Sequence, residues 1–257
     1  MALGTPEESC IVLAGGSGTR LRGVTGGGNK HLVQLCGQSA LHHVLAPVRA
    51  YYGAAPGVLV TNPAHVEAMR VELALSGLGH WMVCEQAQPD GTLSALRCAA
   101  SHVRTATFGV HLGDNLFSWR TLPAMGAAFA SGAAAELYVK EVPREDSERF
   151  AVASIEGVGD AARIISVIEK PPANHSLSDF RVLTGFARFN RAAFNEHAPR
   201  VERSARGEYE ITSLITCFVE AGLVVAARHV DHAWLDYGTE ESYRAAEEIL
   251  RVRKEQA

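Results

Sequence analysis

The run CIVLAGGSGTRLRGVTGGGNK, residues Cys10–Lys30, sets an apolar stretch against four small residues in succession. Ile11 to Ala14 suit a strand buried on both faces, whereas Gly15-Gly16-Ser17-Gly18 can add little to a core. These small residues read either as a flexible connector or as a place where the backbone must come close to something. A strand that breaks into a glycine-rich turn exposes backbone N–H groups, and such a turn can cradle a phosphate. Arg20, Arg22 and Lys30 follow at once, so cations stand beside the turn. Two common phosphate motifs fail here. The dinucleotide fingerprint G-x-G-x-x-G, started at Gly16, meets Leu21 where its third glycine belongs, and Gly18-Thr19-Arg20 is not the Gly-Lys-Ser/Thr of a P-loop.

Strand-like runs return at GVLVTN (57–62), HWMVCEQ (80–86) and TFGVHLGD (107–114). Between them, QSALHHVLAPVRAYYG (38–53), PAHVEAMRVELALSGLG (63–79) and TLSALRCAASHV (92–103) carry helical periodicity. This alternation predicts βαβ units and a parallel sheet, with ligands bound beyond the carboxyl ends of the strands. The glycine turn, EQAQPDG (85–91) and GDN (113–115) all fall at such ends. The second half reads as more antiparallel: AELYVKEVP (135–143), RFAVASIE (149–156), RIISVIEK (163–170) and RVLTGFARFN (181–190) follow in close succession. A helix at YEITSLITCFVEAG (209–222), a strand at LVVAARHV (223–230) and an amphipathic helix at TEESYRAAEEILRVRKEQ (239–256) complete the chain. No linker separates two domains and no repeat is present. The expected fold is a single α/β domain over 1–257, with a Rossmann-like mixed, mainly parallel central sheet flanked by helices and an inserted antiparallel lobe.

Apolar residues make up 47% of the 257 and charged residues 20%, a balance that excludes disorder. A formal net charge of −4 argues against nucleic-acid and membrane partners, so an anionic ligand must be held by a local basic cluster. Cys10, Cys36, Cys84, Cys98 and Cys217 are scattered without C-x-x-C spacing and read as free thiols of a reducing compartment. No secretory leader and no window of transmembrane length is evident, which makes the cytoplasm the expected location.

Seven further or continuing signals then fall in one order: LAGGSGTRL with Lys30 downstream, QPDG, LGDNLF, IEKP with LTGF, ARGEYEIT, and AWLDYGT, ending near Tyr243. Taken singly, most are ordinary. QPDG is a β-turn, Asp114 and Asp236 read as turn formers after strands, Glu169-Lys170 as a solvated ion pair, and GEYEIT as a helix start. In this order the chain resembles the sugar-1-phosphate nucleotidylyltransferases, and among them the glucose-1-phosphate thymidylyltransferase group. The resemblance implies the nucleotide-diphospho-sugar transferase fold, with a nucleotide-binding half at about 9–120, a sugar-phosphate half at about 135–235 and a terminal helix at 239–257. It implies attack of a sugar 1-phosphate on the α-phosphorus of a nucleoside triphosphate, with pyrophosphate leaving. Arg20 and Lys30 are then catalytic, and Asp114 and Asp236 hold Mg²⁺. Leu13, Gly15, Gly16, Gly18, Thr19, Gln86 and Gly91 are expected at the nucleotide, and Glu169, Lys170, Thr184 and Arg206 at the sugar phosphate. A dimer or tetramer is a further implication. A non-catalytic relative that binds a nucleotide sugar, and a dinucleotide-dependent oxidoreductase, are the competing classes.

The chain departs from the thymidylyltransferase pattern in several places. His31 and Gln34 stand where Gln and Pro are usual, Thr92-Leu93-Ser94-Ala95 replaces Leu-Ala-Gln-Ala, Ala151 takes a glycine's place, and Tyr237 follows Asp236 where Thr is usual. Several of these are expected to line the base and sugar pockets. The expected substrates are therefore dTTP and glucose 1-phosphate, or a modified sugar or cyclitol 1-phosphate with GTP, ATP, UTP or CTP. The short run beyond Tyr243 carries the expectation of a form without a regulatory extension and its feedback inhibition.

Overall fold

The structure is a computed structural model that describes residues 8–16, 18, 21–117, 128–172, 174–177, 180–231 and 233–255. In chain order the first half contains β1 (Ser9–Leu13), the short α1 (Arg22–Thr25), the hairpin β2 (Gln34–Leu35) and β3 (Gln38–Ser39), α2 (Ala40–Tyr52), β4 (Gly57–Thr61), α3 (Val66–Leu75), β5 (Met82–Glu85), α4 (Thr92–Ala100), β6 (Thr107–Leu112) and β7 (Asn115–Phe117). The second half contains β8 (Ala133–Lys140), β9 (Ala151–Glu156), β10 (Arg163–Glu169), β11 (Arg181–Asn190), α5 (Arg191–His197), α6 (Ile211–Glu220), β12 (Val224–His229), β13 (Trp234–Asp236) and α7 (Glu240–Glu255).

Nine strands form one sheet in the order β5-β4-β1-β6-β11-β8-β12-β10-β9, and β11 also pairs with β9. Strands β5, β4, β1 and β6 run parallel, as does the β8–β12 pair. Every other pairing in this sheet is antiparallel, so the sheet is mixed as expected, and only the expectation that it is mainly parallel is corrected. The reason lies in the connections. A parallel return needs a crossover of helical length, and among the described residues the links from β8 through β9 and β10 to β11 hold only 3-10 turns.

Strand β1 is buried throughout and sorts its side chains with period two. Ile11 and Leu13 face a cluster built from α4, α6, Phe108 and Phe189, while Cys10 and Val12 face one built from α2, α3, α7 and Trp81. Helices thus cover both faces, as the apolar run of β1 requires. Helix α2 starts where Ser39 accepts the His42 N–H at 3.0 Å and stops at Gly53, close to expectation. Helix α3 is shorter than its periodicity predicts, because Pro63–His65 forms a separate 3-10 turn. Among the described residues no helix is long and apolar enough to cross a membrane.

Candidate active site

A cleft of about 300 Å³ opens at the carboxyl ends of the parallel strands, between β6 and the antiparallel part of the sheet. Its floor depends on a two-stranded ribbon that lacks any periodic signal in the sequence. Strands β7 and β13 are three residues each and pair antiparallel, which sets Asp236 opposite Asn115, the neighbour of Asp114. The Tyr237 N–H donates to the Asp114 carbonyl at 3.1 Å and closes the ribbon. Asp114 pairs with the Lys30 ammonium and accepts a hydrogen bond from Asn115 Nδ2 at 2.8 Å. Burial, the largest single influence, pushes its pKa up, but the Lys30 charge together with the hydrogen bonds from Lys30 and Asn115 outweighs burial and holds the carboxyl well below the usual range. Asp236 is shifted the other way, by burial first and then by the negative charge of Asp114. Its compensation is modest: the Gly238 N–H at 3.0 Å and the Arg149 guanidinium at 3.7 Å.

Lys30 opens a 3-10 turn whose cap, Asn29, accepts the His31 N–H at 2.8 Å and donates Nδ2–H to the Ala14 carbonyl at 3.3 Å. The glycine turn packs directly over this lysine. A Cβ on Gly16 would lie 3.0 Å from Lys30 Cε, and one on Gly18, where φ is +60°, would lie 2.8 Å from Lys30 Cβ. Gly15 faces Gln86 instead: its Cβ would lie 3.4 Å from Oε1. Thr19 and Arg20 lie outside the described residues.

On the opposite wall Glu169 ends β10, and Lys170 follows in a left-handed conformation (φ +43°) that a lysine before Pro171 adopts only at a cost. Lys170 Nζ sits 3.8 Å from Glu169, and Arg206 bridges Glu169 at 3.4 Å and Glu210 at 3.1 Å. Glu169 is raised in pKa, chiefly by burial. All three expected residues line the cleft with Asp114 and Asp236. Thr184 does not: it is fully buried, and its hydroxyl donates to the Tyr138 carbonyl at 2.8 Å. The irregular stretch of β11 at Leu183–Ala187 turns Thr184 inward and leaves Leu183, Gly185 and Phe186 at the cleft. Arg149, Glu208 and Thr212 also line it; Glu208 and Thr212 belong to ARGEYEIT, whose reading marks Arg206 alone, and Arg149 opens RFAVASIE, which signals only a strand.

Gln86 is buried, and its Nε2 donates to the Gly91 carbonyl at 3.0 Å, which fixes the amide with Oε1 toward Gly15. Gly91 (φ +120°) has a packing reason of its own, since a Cβ there would collide with the Tyr209 backbone. The Tyr209 N–H and carbonyl bond Asp90 at 2.8 Å and Leu93 at 2.9 Å, so QPDG is docked on the segment that carries Arg206. Leu13 is a core residue whose carbonyl accepts the Gly113 N–H at 2.8 Å, and its side chain turns from the expected nucleotide face into the α4 side of the core.

A family model described as nucleotidyl transferase matches residues 9–252. Glucose-1-phosphate thymidylyltransferase of Xanthomonas campestris is 30% identical over 252 residues, spanning 96% of this chain and 81% of that one. The chain belongs to the nucleotidyl transferase family. A UTP–glucose-1-phosphate uridylyltransferase of Haloferax volcanii is 29% identical over 248 residues, 96% of this chain and 98% of its own length. A Bacillus anthracis structure described as a candidate glucose-1-phosphate thymidylyltransferase, in complex with sucrose, superposes with a TM-score of 0.80 at 26% identity over 95% of both chains. The inositol-1-phosphate CTP transferase of T. maritima shares the fold, with a TM-score of 0.78 at 18% identity over 94% of this chain and 96% of that one.

Within this nucleotidyltransferase the departures fall in unexpected places. His31 and Tyr237 line no open pocket; they are 1% and 0% exposed and touch each other beneath the carboxylates. Burial, then the Lys30 charge, pushes the His31 pKa down to about 3, so the ring is neutral. Gln34 lies on the surface in β2, its carbonyl bonded by the Tyr243 hydroxyl of α7. Only Ala151, paired across the ladder with Glu169, and Thr92 reach the cleft.

Proposed function

We propose that this nucleotidyltransferase joins a nucleoside triphosphate to a sugar 1-phosphate, best dTTP and glucose 1-phosphate, giving a nucleoside diphosphate sugar and pyrophosphate. The supporting observation is that the Lys30, Asp114 and Asp236 group and the Glu169, Lys170 and Arg206 group face one cleft. Two anions must meet there against their repulsion, and the chemistry is mostly positioning and charge stabilisation. Lys170 and Arg206 hold the sugar phosphate; Glu169 and Glu210 engage Arg206 Nη1 and so orient the guanidinium, whose other N–H groups meet the phosphate. Glu169 accepts hydrogen bonds from sugar hydroxyls. An oxygen of that phosphate bonds to the α-phosphorus as the bond to the bridging oxygen breaks, and the electron pair leaves with pyrophosphate. Lys30, and by its motif position Arg20, neutralises the charge that develops on the α-phosphate. Gln86 keeps Oε1 free toward Gly15, where it accepts the ring N–H of thymine or uracil.

The donor set suits Mg²⁺. Described residues lining the cleft include four basic side chains and five carboxylates, so two phosphate substrates would add charge to an already acidic site. No group of three or more potential ligands stands together among the described residues, but Mg²⁺ takes one or two carboxylates and completes its shell with substrate phosphates and water. Asp114 and Asp236 would hold it, and when bound it supplies charge neutralisation to the phosphates.

The test is pyrophosphate release with Mg²⁺, crossing dTTP, UTP, GTP, ATP and CTP with glucose 1-phosphate, other sugar 1-phosphates and a cyclitol 1-phosphate. Turnover is expected, highest for dTTP with glucose 1-phosphate. Turnover confined to another pair would favour the second reading, a modified sugar or cyclitol phosphate, which the Ala151 methyl group in the cleft supports. No turnover with any pair, together with binding of a nucleotide sugar, would replace catalysis by a regulatory binding role.

A further inference from the structure

We propose that His31, Gly113 and Tyr237 form a buried node that positions Lys30, Asp114 and Asp236 against one another; the proposal rests on the site reading given above. Each of these three charged residues has its immediate chain neighbour in the node. The Tyr237 hydroxyl donates to the Gly113 carbonyl at 2.6 Å. His31 Nδ1 lies 3.0 Å from the same carbonyl and 3.3 Å from the Tyr237 hydroxyl oxygen. A carbonyl only accepts, so Nδ1 carries the hydrogen of the neutral ring and shares it between the two oxygens. The rings meet edge-on, with centroids 6.5 Å apart.

Gly113 makes the convergence possible. A Cβ there would sit 2.8 Å from the Leu13 carbonyl and 3.2 Å from the His31 ring. Its N–H is tied to that Leu13 carbonyl at 2.8 Å, so β1 sets the direction in which the Gly113 carbonyl points. A node of neutral groups cannot offset the repulsion between Asp114 and Asp236 by charge. It acts by geometry: it locks the turn after β6 to the end of β13 and to the Lys30 turn. Hydrogen bonds out of water are stronger and more directional than exposed ones, which suits them to this task. Holding both carboxylates in place before the cation and phosphates arrive removes reorganisation from the reaction. The β7–β13 ladder, the Tyr237 N–H to the Asp114 carbonyl and Trp234 Nε1 to Asn115 Oδ1 at 2.7 Å join the two segments, and the Tyr237 hydroxyl extends this tie to Gly113 and, with His31, to the Lys30 turn.

Tyr237→Phe keeps the ring and removes only the hydroxyl. Mn²⁺ binding in the presence of nucleoside triphosphate, followed by electron paramagnetic resonance, would be measured beside kcat, KM and Tm. Tyr237→Phe is expected to weaken Mn²⁺ binding roughly tenfold and to lower kcat by a similar factor, the range typical of groups that orient metal-binding side chains. KM for the triphosphate and Tm should change little. His31→Leu should behave alike, His31→Asn, which restores a donor at the δ position, should recover most of the loss, and the Tyr237→Phe/His31→Leu pair should fall short of additive. Wild-type Mn²⁺ affinity and kcat in Tyr237→Phe would overturn the proposal. So would losses that track Tm alone with His31→Asn no better than His31→Leu. Asp114→Ala, run in parallel, separates the two levels: if it binds Mn²⁺ as wild type does, the site reading itself is wrong.

Discussion

Two clusters of buried charge sit toward opposite ends of the parallel strands, and they differ in how completely they are satisfied. At the amino end of β1, Arg188 lies between Glu8 and Glu136, with Nε and Nη2 on the Glu8 carboxylate at 2.6–3.0 Å and Nη1 on Glu136 at 2.9 Å. Arg228 binds the other oxygen of Glu136 at 2.9 and 3.1 Å, and the Tyr52 and Thr107 hydroxyls donate to Glu8 at 3.1 and 3.2 Å. Burial disfavours the Arg188 charge, yet its bonds to Glu8 hold its pKa above the ordinary value. At the carboxyl end, Asp236 is left with a raised pKa, facing Asp114 with a distant guanidinium for company. A saturated cluster has nothing left to bind and serves the fold. An unsaturated one stores its deficit until a ligand arrives, and here it opens on the cleft.

The contrast breaks most sharply at Asp114. Asp114→Ala should lower kcat by about a thousandfold, roughly 4 kcal/mol of barrier, while thermal unfolding shows an intact fold. Survival of activity within about tenfold would show that this carboxylate does not act in the reaction. Arg188→Met should do the reverse. Glu8 would be left buried without its cation, at a cost of about 3–5 kcal/mol, which for a chain of this size lowers Tm by roughly 10 °C. Its kcat well below the new Tm should match wild type, and a primary loss of turnover without loss of stability would blur the division between the clusters. Arg206→Ala should raise KM for the sugar 1-phosphate about tenfold, the weight of one charged hydrogen-bonded contact, and leave KM for the triphosphate unchanged. Equal effects on both substrates would remove Arg206 from its side of the cleft.

These differences explain what could be read from the chain. The β1 run and its glycines were legible because burial on both faces and close backbone approach each demand specific residue types. Lys30, Asp114, Asp236, Glu169, Lys170 and Arg206 were legible through their motifs, though the β7–β13 ribbon that unites the two aspartates is too short to show periodicity. Thr184 misled because β11 changes register there, and a one-residue slip turns a side chain to the other face. His31 and Tyr237 looked like pocket residues because each adjoins one in the chain; only the fold shows them meeting from beneath. Glu8, Glu136, Arg188 and Arg228 had no signal, since their partners come from four distant segments and their spacing follows no motif.

His111 tests how far the two ends are insulated from each other. It lies on β6, between Gly109, which pairs with Arg188, and the turn that carries Asp114. The ring is fully buried against Phe117 and Phe186, its Nδ1–H donates to the Leu112 carbonyl at 2.8 Å, and Nε2 has no partner. Burial pushes its pKa down to about 4. The unfolded chain, with an ordinary histidine near 6.5, therefore binds more protons than the folded one between those values, and stability rises with pH across that window. Above about pH 6.5 the full contribution is present, and acidification from pH 7 to 5.5 should remove about 1 kcal/mol of it. His111→Phe, which fills the same aromatic space, should make the fall of Tm over this range shallower by that amount. If the slope is unchanged, His111 takes up its proton in the folded protein as readily as in the unfolded chain, and the apolar layer between the two clusters does not insulate them.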